Sequence, residues 1–272
     1  MTYFQSILLG VIQGASEFLP ISSSGHLVLA PYLFGWEIPP REAFLFDVLV
    51  QVATLSAVII YYWKDLKAIL ISFFKNLLAG QPFQTEESRL GWFLILSTIP
   101  AGFAALLFKD TLEVAFSNPK CAAIFLLATS VLLLLGEFFG KKSRALSAIT
   151  WRDSLLIGLF QVLALFPGIS RSGSTITGGL LRNFDRKSSA RYAFLMSVPV
   201  MAAAGVMAGY DLLHTPQLIN NLPIYLAGFA SAAIVGYFAI SWFITYLSRQ
   251  SLSVFAIYCA VVGLGFLIAL NV

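Results

Sequence analysis

Apolar residues in this chain do not alternate as in a half-buried strand, nor recur every third or fourth position as on a surface helix. They come in long runs. Six runs, at about 44–63, 90–108, 120–138, 192–212, 222–246 and 252–272, are nearly free of charge. Crossing roughly 30 Å of hydrocarbon takes about 20 helical residues, so each run predicts a transmembrane helix. Two further apolar regions are interrupted. Residues 4–19 carry Gln13 and Glu17 and stop at Pro20 and three serines; residues 27–36 then resume for ten positions, only about 15 Å of helix. Residues 154–181 have the same form around "FPGISRSGST". Polar backbone at membrane depth is tolerated only when buried in protein or lining a cavity. Both regions therefore read as re-entrant helical hairpins, 1–36 and 154–181.

The hairpins are related. Shifting residues 10–25 by 148 positions places Gly10, Gln13, Phe18, Ile21, Ser22, Ser24 and Gly25 on Gly158, Gln161, Phe166, Ile169, Ser170, Ser172 and Gly173, seven gapless identities in sixteen. "AFL" at 43–45 returns at 193–195 with a two-residue drift. Each half, 1–138 and 153–272, is then one hairpin plus three spans. An odd number of spans inverts the second copy, as in many transporters. The expected fold is a single all-α, polytopic membrane domain with six transmembrane helices and two re-entrant hairpins in an inverted repeat.

Charge gives the orientation. With both termini outside, the cytoplasmic segments hold Lys64, Lys67, Lys75, Arg89, Lys141, Lys142, Arg144, Arg152, Arg182, Arg186, Lys187, Arg191 and Arg249, and the outer ones Arg41, Lys109 and Lys120. Thirteen against three favours this topology. Hairpin one then enters from outside, hairpin two from the cytoplasm, and their tips meet within the bilayer. Composition agrees: 58% of the 272 residues are hydrophobic and 11% charged, with a mean hydropathy of +0.84. A soluble domain is excluded. The net charge of +4 is one-sided and reflects topology, not nucleic-acid binding. Cys121 and Cys259 are isolated in apolar runs and suggest neither a disulfide nor a metal site. "MTYFQSILLG" lacks a basic start and reads as part of the mature protein.

The scarce polar chemistry collects at the tips, "EFLPISSSGHL" and "PGISRSGST". The repeat makes Ser23 the counterpart of Arg171. Each tip precedes a short helix, so Ser22, Ser23, Ser24 and Gly25, and Ser170, Arg171, Ser172 and Gly173, offer N–H groups at helix N-termini, which attract anions. Serine hydroxyls and a forked guanidinium add donors for phosphate oxygens. Glu17 and His26 supply a base and an acid. Gln13, Ser22, Ser24, Gly25, Ser170, Ser172, Gly173 and Thr175 are the expected diphosphate-binding residues, but bland roles compete: serines and glycines allow close helix packing, Gln13 and Gln161 suit interhelical hydrogen bonds as well as ligation, and His26 alone suits a satisfied core group. Glu17 and Arg171 resist this reading, because intramembrane charges are costly and functional by default, although a structural ion pair between them is an alternative. Asp47 reads as an interfacial group, with a metal or supporting role as the alternative; Glu137 and His214 read as interfacial.

"QGASEFLPISSSGH" (13–26) and "PGISRSGST" (167–175) resemble the two signature motifs of the undecaprenyl pyrophosphate phosphatase family, also called bacitracin-resistance proteins. The first family motif is Glu or Gln, three residues, then Glu, matched by Gln13 and Glu17. The resemblance covers the whole length, the span count and the repeat. It implies an enzyme of the bacterial inner membrane that hydrolyses undecaprenyl diphosphate to the monophosphate, recycling the carrier for cell-wall synthesis. It implies Glu17, Ser23, His26 and Arg171 as principal active-site residues, with Ser22, Ser170 and Thr175 nearby. It also implies activation by a divalent cation, Mg2+ or Ca2+. No aspartate-rich motif is present, so the ion is expected at Glu17 or arriving with the diphosphate. A homodimer is left open.

The expected mechanism keeps the polyprenyl tail in lipid while the diphosphate enters, from the outer side, between the tips. Ser23 Oγ attacks the terminal phosphorus, Glu17 or His26 takes its proton, and water then releases phosphate; direct attack by activated water fits the same residues. The rival class is a transporter of lipid diphosphate. Binding alone would need Arg171 and donors, but not Glu17, Ser23 and His26 together.

Overall fold

The structure, a computed structural model, describes residues 1–116, 118–213 and 218–270; His214 and the last two residues of the final apolar run lie outside them. The helices in chain order are α1 (Tyr3–Phe18), α2 (Ser23–Leu33), α3 (Pro40–Tyr61), α4 (Trp63–Leu78), α5 (Glu86–Leu107), α6 (Lys109–Phe116), α7 (Pro119–Phe139), α8 (Trp151–Leu163), α9 (Arg171–Leu181), α10 (Arg186–Leu213), α11 (Leu218–Tyr246) and α12 (Ser253–Ala269). No strand forms among the described residues; one isolated bridge joins Arg144 and Phe184.

Five of the six apolar runs become helices long and apolar enough to cross a membrane: α3, α5, α7, α10 and α11. The sixth run is α12, shorter at 17 residues, or about 26 Å. This is a multi-pass, all-α membrane protein. Its outer surface is apolar, with Phe103, Leu106, Val131, Phe138, Phe238, Ile257 and Val261 exposed, whereas Gln13, Thr54, Asp153, Thr175 and Ser197 are fully buried or nearly so. Side chains that lipid solvates well face outward, and groups needing hydrogen bonds face one another.

Helices α4 and α6 are not foreseen by the hydropathy runs. In α4 the charges of Lys64, Asp65, Lys67 and Lys75 break the apolar run, yet Leu66 and Ile69 are buried and Ile69 and Phe73 pack at Gly91 of α5. An amphipathic period of 3.6 underlies it.

The two interrupted regions are helix–break–helix hairpins, α1–α2 and α8–α9. Each first helix packs on a span of the other half: α1 lies on α11 and α8 on α5. Two of the contacts recur under the 148-residue shift. A Cβ on Gly10 would lie 2.3 Å from the carbonyl oxygen of Gly228 on α11, and one on Gly158 would lie 2.5 Å from that of Ser97 on α5. One turn earlier, Ser6 Oγ donates to the Ile224 carbonyl at 2.6 Å and Ser154 Oγ to the Phe93 carbonyl at 2.5 Å. At the helix starts Thr2 and Thr150 each close a capping box, with Gln5 and Asp153 as partners. The relation thus runs back to residue 2, because these small and capping residues repeat one packing device.

The ends of hairpin two are clasped by charge. Asp153, fully buried, accepts from Arg144 at 2.8 and 3.2 Å and from Arg182 at 2.5 Å, joining the start of α8 to the end of α9. Glu137, at the end of α7, pairs with Lys142 and Arg186 and accepts from the backbone N–H of Leu252. A carboxylate with several charge-assisted donors is well held even when buried.

Gly158→Ala is expected to cost about 1–3 kcal/mol, the range for overpacking a close-packed contact, seen as a lower thermal midpoint of the detergent-solubilised protein. Gly102→Ala, where an added Cβ meets nothing within 4 Å, should leave the midpoint unchanged or raise it.

Candidate active site

Hairpin one turns at 19–22. Ser22 has φ +70°, a region costly for a residue with a Cβ. Its neighbours hold it there: the Ser22 carbonyl accepts from the His26 N–H at 3.2 Å and from His26 Nδ1 at 2.7 Å, and Ser22 Oγ caps α2 by accepting from the Gly25 N–H. Hairpin two turns at 164–170, where Ser170 Oγ caps α9 by accepting from the Gly173 N–H at 3.0 Å. Thr129 of α7 fixes this turn, receiving the Ser170 N–H at 2.9 Å and donating to the Gly168 carbonyl at 2.8 Å. Ser172 Oγ crosses between the tips to the Leu19 carbonyl at 3.1 Å. At Gly25 an added Cβ would sit 3.1 Å from Gly168 Cα, so the tips touch backbone to backbone.

The centre is Glu17, 7% exposed. Its Oε2 accepts from Ser23 Oγ at 2.5 Å and from Gln13 Nε2 at 3.0 Å; its Oε1 accepts from Arg171 Nη2 at 2.7 Å. One carboxylate therefore joins a hydroxyl from hairpin one to a guanidinium from hairpin two. Gln13 Nε2 also lies 3.5 Å from Thr54 Oγ1 of α3. Two polar atoms here are buried without a partner: Arg171 Nη1 and Gln13 Oε1. A buried, unpartnered guanidinium nitrogen beside a half-buried hydroxyl is a seat for an anion.

The expected site residues thus divide. Gln13, Glu17, Ser23 and Arg171 form one cluster. His26 does not contact Ser23 within it: Nδ1 is on the Ser22 carbonyl, and Nε2 is 2.8 Å from the hydroxyl of Tyr258 on α12. Ser22, Ser170 and Ser172 have their hydroxyls committed to the turns, with Ser24 Oγ 3.3 Å from Ser22 Oγ. The N–H groups of Gly25 and Gly173 are occupied by those caps. This leaves the first-turn N–H groups of Ser23 and Ser24, and of Arg171 and Ser172, without intrahelical partners. Thr175 is fully buried and donates to the Arg171 carbonyl of its own helix at 2.8 Å, so it supports Arg171 from below. Asp47 lies two turns before Thr54 on α3, well inside the helix rather than at its end. Sequence reading missed Thr54, Thr129 and Tyr258, whose isolated hydroxyls sit in ordinary apolar runs without a motif.

Comparison with known proteins identifies the family. Residues 6–265 match the bacitracin resistance protein BacA family. The chain is 40% identical over 278 residues, 98% of its length, to the undecaprenyl-diphosphatase of Chlorobium phaeobacteroides (strain BS1), covering 96% of that protein. It is 38% identical over its full length to that of Thermomicrobium roseum, 99% covered, and 40% identical to that of Chlorobaculum parvum, 98% covered. The chain belongs to the bacitracin resistance protein family.

The side chains at the site do not suit a resident cation. Among the described residues no group of three or more His, Cys, Asp or Glu side chains comes together. Both oxygens of Glu17 already accept hydrogen bonds, and the unpartnered Nη1 of Arg171 is a cationic donor that repels a metal ion. These residues do not form a cage for Mg2+ or Ca2+.

Removing one member of the Glu17–Arg171 pair strands the other. Glu17→Gln is expected to destabilise by about 3–5 kcal/mol, the cost of an uncompensated buried charge. Adding Arg171→Gln should recover a large part. Thermal midpoints in detergent for both singles and the double substitution check this, and equal, additive losses would show that the two charges do not rely on each other.

Proposed function

We propose that this chain is an integral membrane phosphatase that hydrolyses undecaprenyl diphosphate to undecaprenyl phosphate and inorganic phosphate, with Ser23 as nucleophile. The reading returns the lipid carrier to cell-wall synthesis. Its relatives along the whole chain carry the name undecaprenyl-diphosphatase, and the transporter alternative has no support among them. The observation that carries the assignment of Ser23 is its 2.5 Å hydrogen bond to Glu17, with Arg171 on the opposite oxygen. Binding alone would not need a hydroxyl held on a buried carboxylate.

The geometry supports a two-step reaction. Arg171 Nη1 and the first-turn N–H groups bind the terminal phosphoryl group. As Arg171 turns from Glu17 toward the phosphate, Glu17 Oε2 stays on Ser23 Oγ, in place to receive its proton. Ser23 Oγ then attacks phosphorus, its proton passes to Glu17, and the bond to the bridging oxygen breaks, releasing undecaprenyl phosphate. In the second step water attacks the phosphoserine, the bond from phosphorus to Ser23 Oγ breaks, and Oγ recovers the proton from Glu17; both protons of the water leave on the inorganic phosphate, which departs as the dihydrogen anion. A divalent cation is proposed to arrive with the diphosphate; no step is assigned to it. Every protein group named comes from one chain, so one copy suffices.

We place the site toward the outer face of a bacterial cytoplasmic membrane, with the halves 1–138 and 153–272 as inverted repeats and α1–α2 and α8–α9 as re-entrant hairpins entering from opposite sides. The exchanged packing of α1 on α11 and α8 on α5 and the thirteen-to-three distribution of basic residues support this. In a background lacking Cys121 and Cys259, Glu37→Cys should react with an impermeant thiol reagent on intact cells, and Lys141→Cys only after the membrane is opened. The reverse pattern would overturn the orientation.

Ser23→Ala should reduce phosphate release from undecaprenyl diphosphate in detergent by more than the roughly 10²–10³-fold typical of losing one oxyanion donor, with substrate affinity much less changed. Ser24→Ala should fall within or below that range. If Ser23→Ala kept a substantial fraction of wild-type turnover, direct water attack would replace the serine mechanism.

A further inference from the structure

His26 has two ring contacts of different character. Nδ1 meets the Ser22 carbonyl at 2.7 Å, and a carbonyl only accepts, so Nδ1 carries the proton. The second hairpin repeats this bond without an imidazole: Ser174, the counterpart of His26 under the 148-residue shift, donates its Oγ to the Ser170 carbonyl at 2.8 Å. Holding the turn therefore requires only a donor at this position. What hairpin two does not repeat is the second nitrogen. His26 Nε2 lies 2.8 Å from Tyr258 Oη, and the two rings are nearly parallel, 12° apart in plane with centroids 5.7 Å apart.

Tyr258 is carried by α12, from the other half of the chain. Its neighbour Cys259 is fully buried and sits against the Pro20 carbonyl of the hairpin turn at 3.7 Å, in a cluster with Leu29, Ala122 and Leu126. The backbone of α12 is thus wedged at the tip, and the Tyr258 ring is set over His26 while 40% of the residue stays exposed. With Nδ1 protonated, neutral His26 presents a lone pair at Nε2, and the tyrosine hydroxyl is the donor to it. A half-turn of the imidazole would break both contacts at once.

We propose that Tyr258 is a positioning residue of the phosphatase site, holding His26 in the single tautomer with Nδ1–H on the Ser22 carbonyl and a bare Nε2 on the Tyr258 hydroxyl. Nε2 is then the one ring atom that can take up or release a proton while the turn aiming Ser23 stays intact. This rests on the phosphatase reading for its kinetic consequence, but the tautomer is a property of the protein without substrate.

The chain has two histidines, so His214→Asn leaves His26 as the sole source of imidazole signals. In ¹⁵N spectra of that protein in detergent, His26 should show two well-separated ring resonances, one protonated Nδ1 and one bare Nε2. Tyr258→Phe, which keeps the ring and removes the donor, should draw the two resonances toward averaged positions. It should lower kcat about five- to tenfold, in keeping with one hydrogen bond of about 1 kcal/mol or slightly more, with KM within about twofold. Tyr237→Phe, a comparably exposed tyrosine elsewhere, should change neither. Ring resonances unaltered by Tyr258→Phe would overturn the proposal whatever the activity, and so would averaged resonances with unchanged kcat. Failure of the serine mechanism would be seen separately, as retained turnover in Ser23→Ala with the Tyr258 effect on the ring intact.

Discussion

An arginine and a glutamate buried in a membrane protein cannot be left apart, and most of the architecture around the site follows from keeping them together. Each charge alone costs several kcal/mol away from water, while a paired and hydrogen-bonded set costs far less. Glu17 sits at the end of the first helix of one hairpin and Arg171 at the start of the second helix of the other. The two turns must therefore meet, and they do so through close backbone contact at Gly25 and Gly168 and through the Ser172 to Leu19 hydrogen bond. The same carboxylate that pairs with Arg171 also holds the Ser23 hydroxyl.

Because the turns are irregular backbone within an apolar surround, every polar group in them needs a local partner. The repeated serines meet that need. Ser22 and Ser170 cap their helices, and His26 and Ser174 return to the carbonyls of the same residues. Thr129 and Tyr258, from α7 and α12, approach the turns from the flanking helices. This explains why so many hydroxyls occupy the motifs when only one lies against the carboxylate.

The halves share a scaffold and differ in chemistry. Under the 148-residue shift Glu17 becomes Leu165, Ser23 becomes Arg171 and His26 becomes Ser174. Both Gln13 and its counterpart Gln161 have an unpartnered amide oxygen, but only Gln161 also has an unpartnered Nε2, because no carboxylate stands one turn beyond it to accept. Two equal tips would bring like charges together; instead a carboxylate and hydroxyl from one hairpin meet a guanidinium from the other.

Much of this is written locally. Long apolar runs determine spans because hydrocarbon thickness sets helix length, and the interruptions at Pro20 and at Pro167–Gly168 determine the hairpins because such backbone cannot face lipid. The intramembrane charges mark Glu17 and Arg171 as a pair for the same reason. Other features depend on residues far apart in sequence. Helix α4 is hidden from a hydropathy window since its apolar face is only one stripe. That Ser23, rather than Ser22 or Ser24, lies on Glu17 is decided by the left-handed turn at Ser22, which no composition reveals. That the His26 ring meets the Ser22 carbonyl and the Tyr258 hydroxyl, the latter 232 residues distant, is likewise a matter of tertiary packing. Chain-local physics determined what must be buried and where the helices break; only the packing of α12 and the two turns decided which atom each functional group would touch, because hydrogen bonds act over about 3 Å and that spacing is set by the tertiary structure.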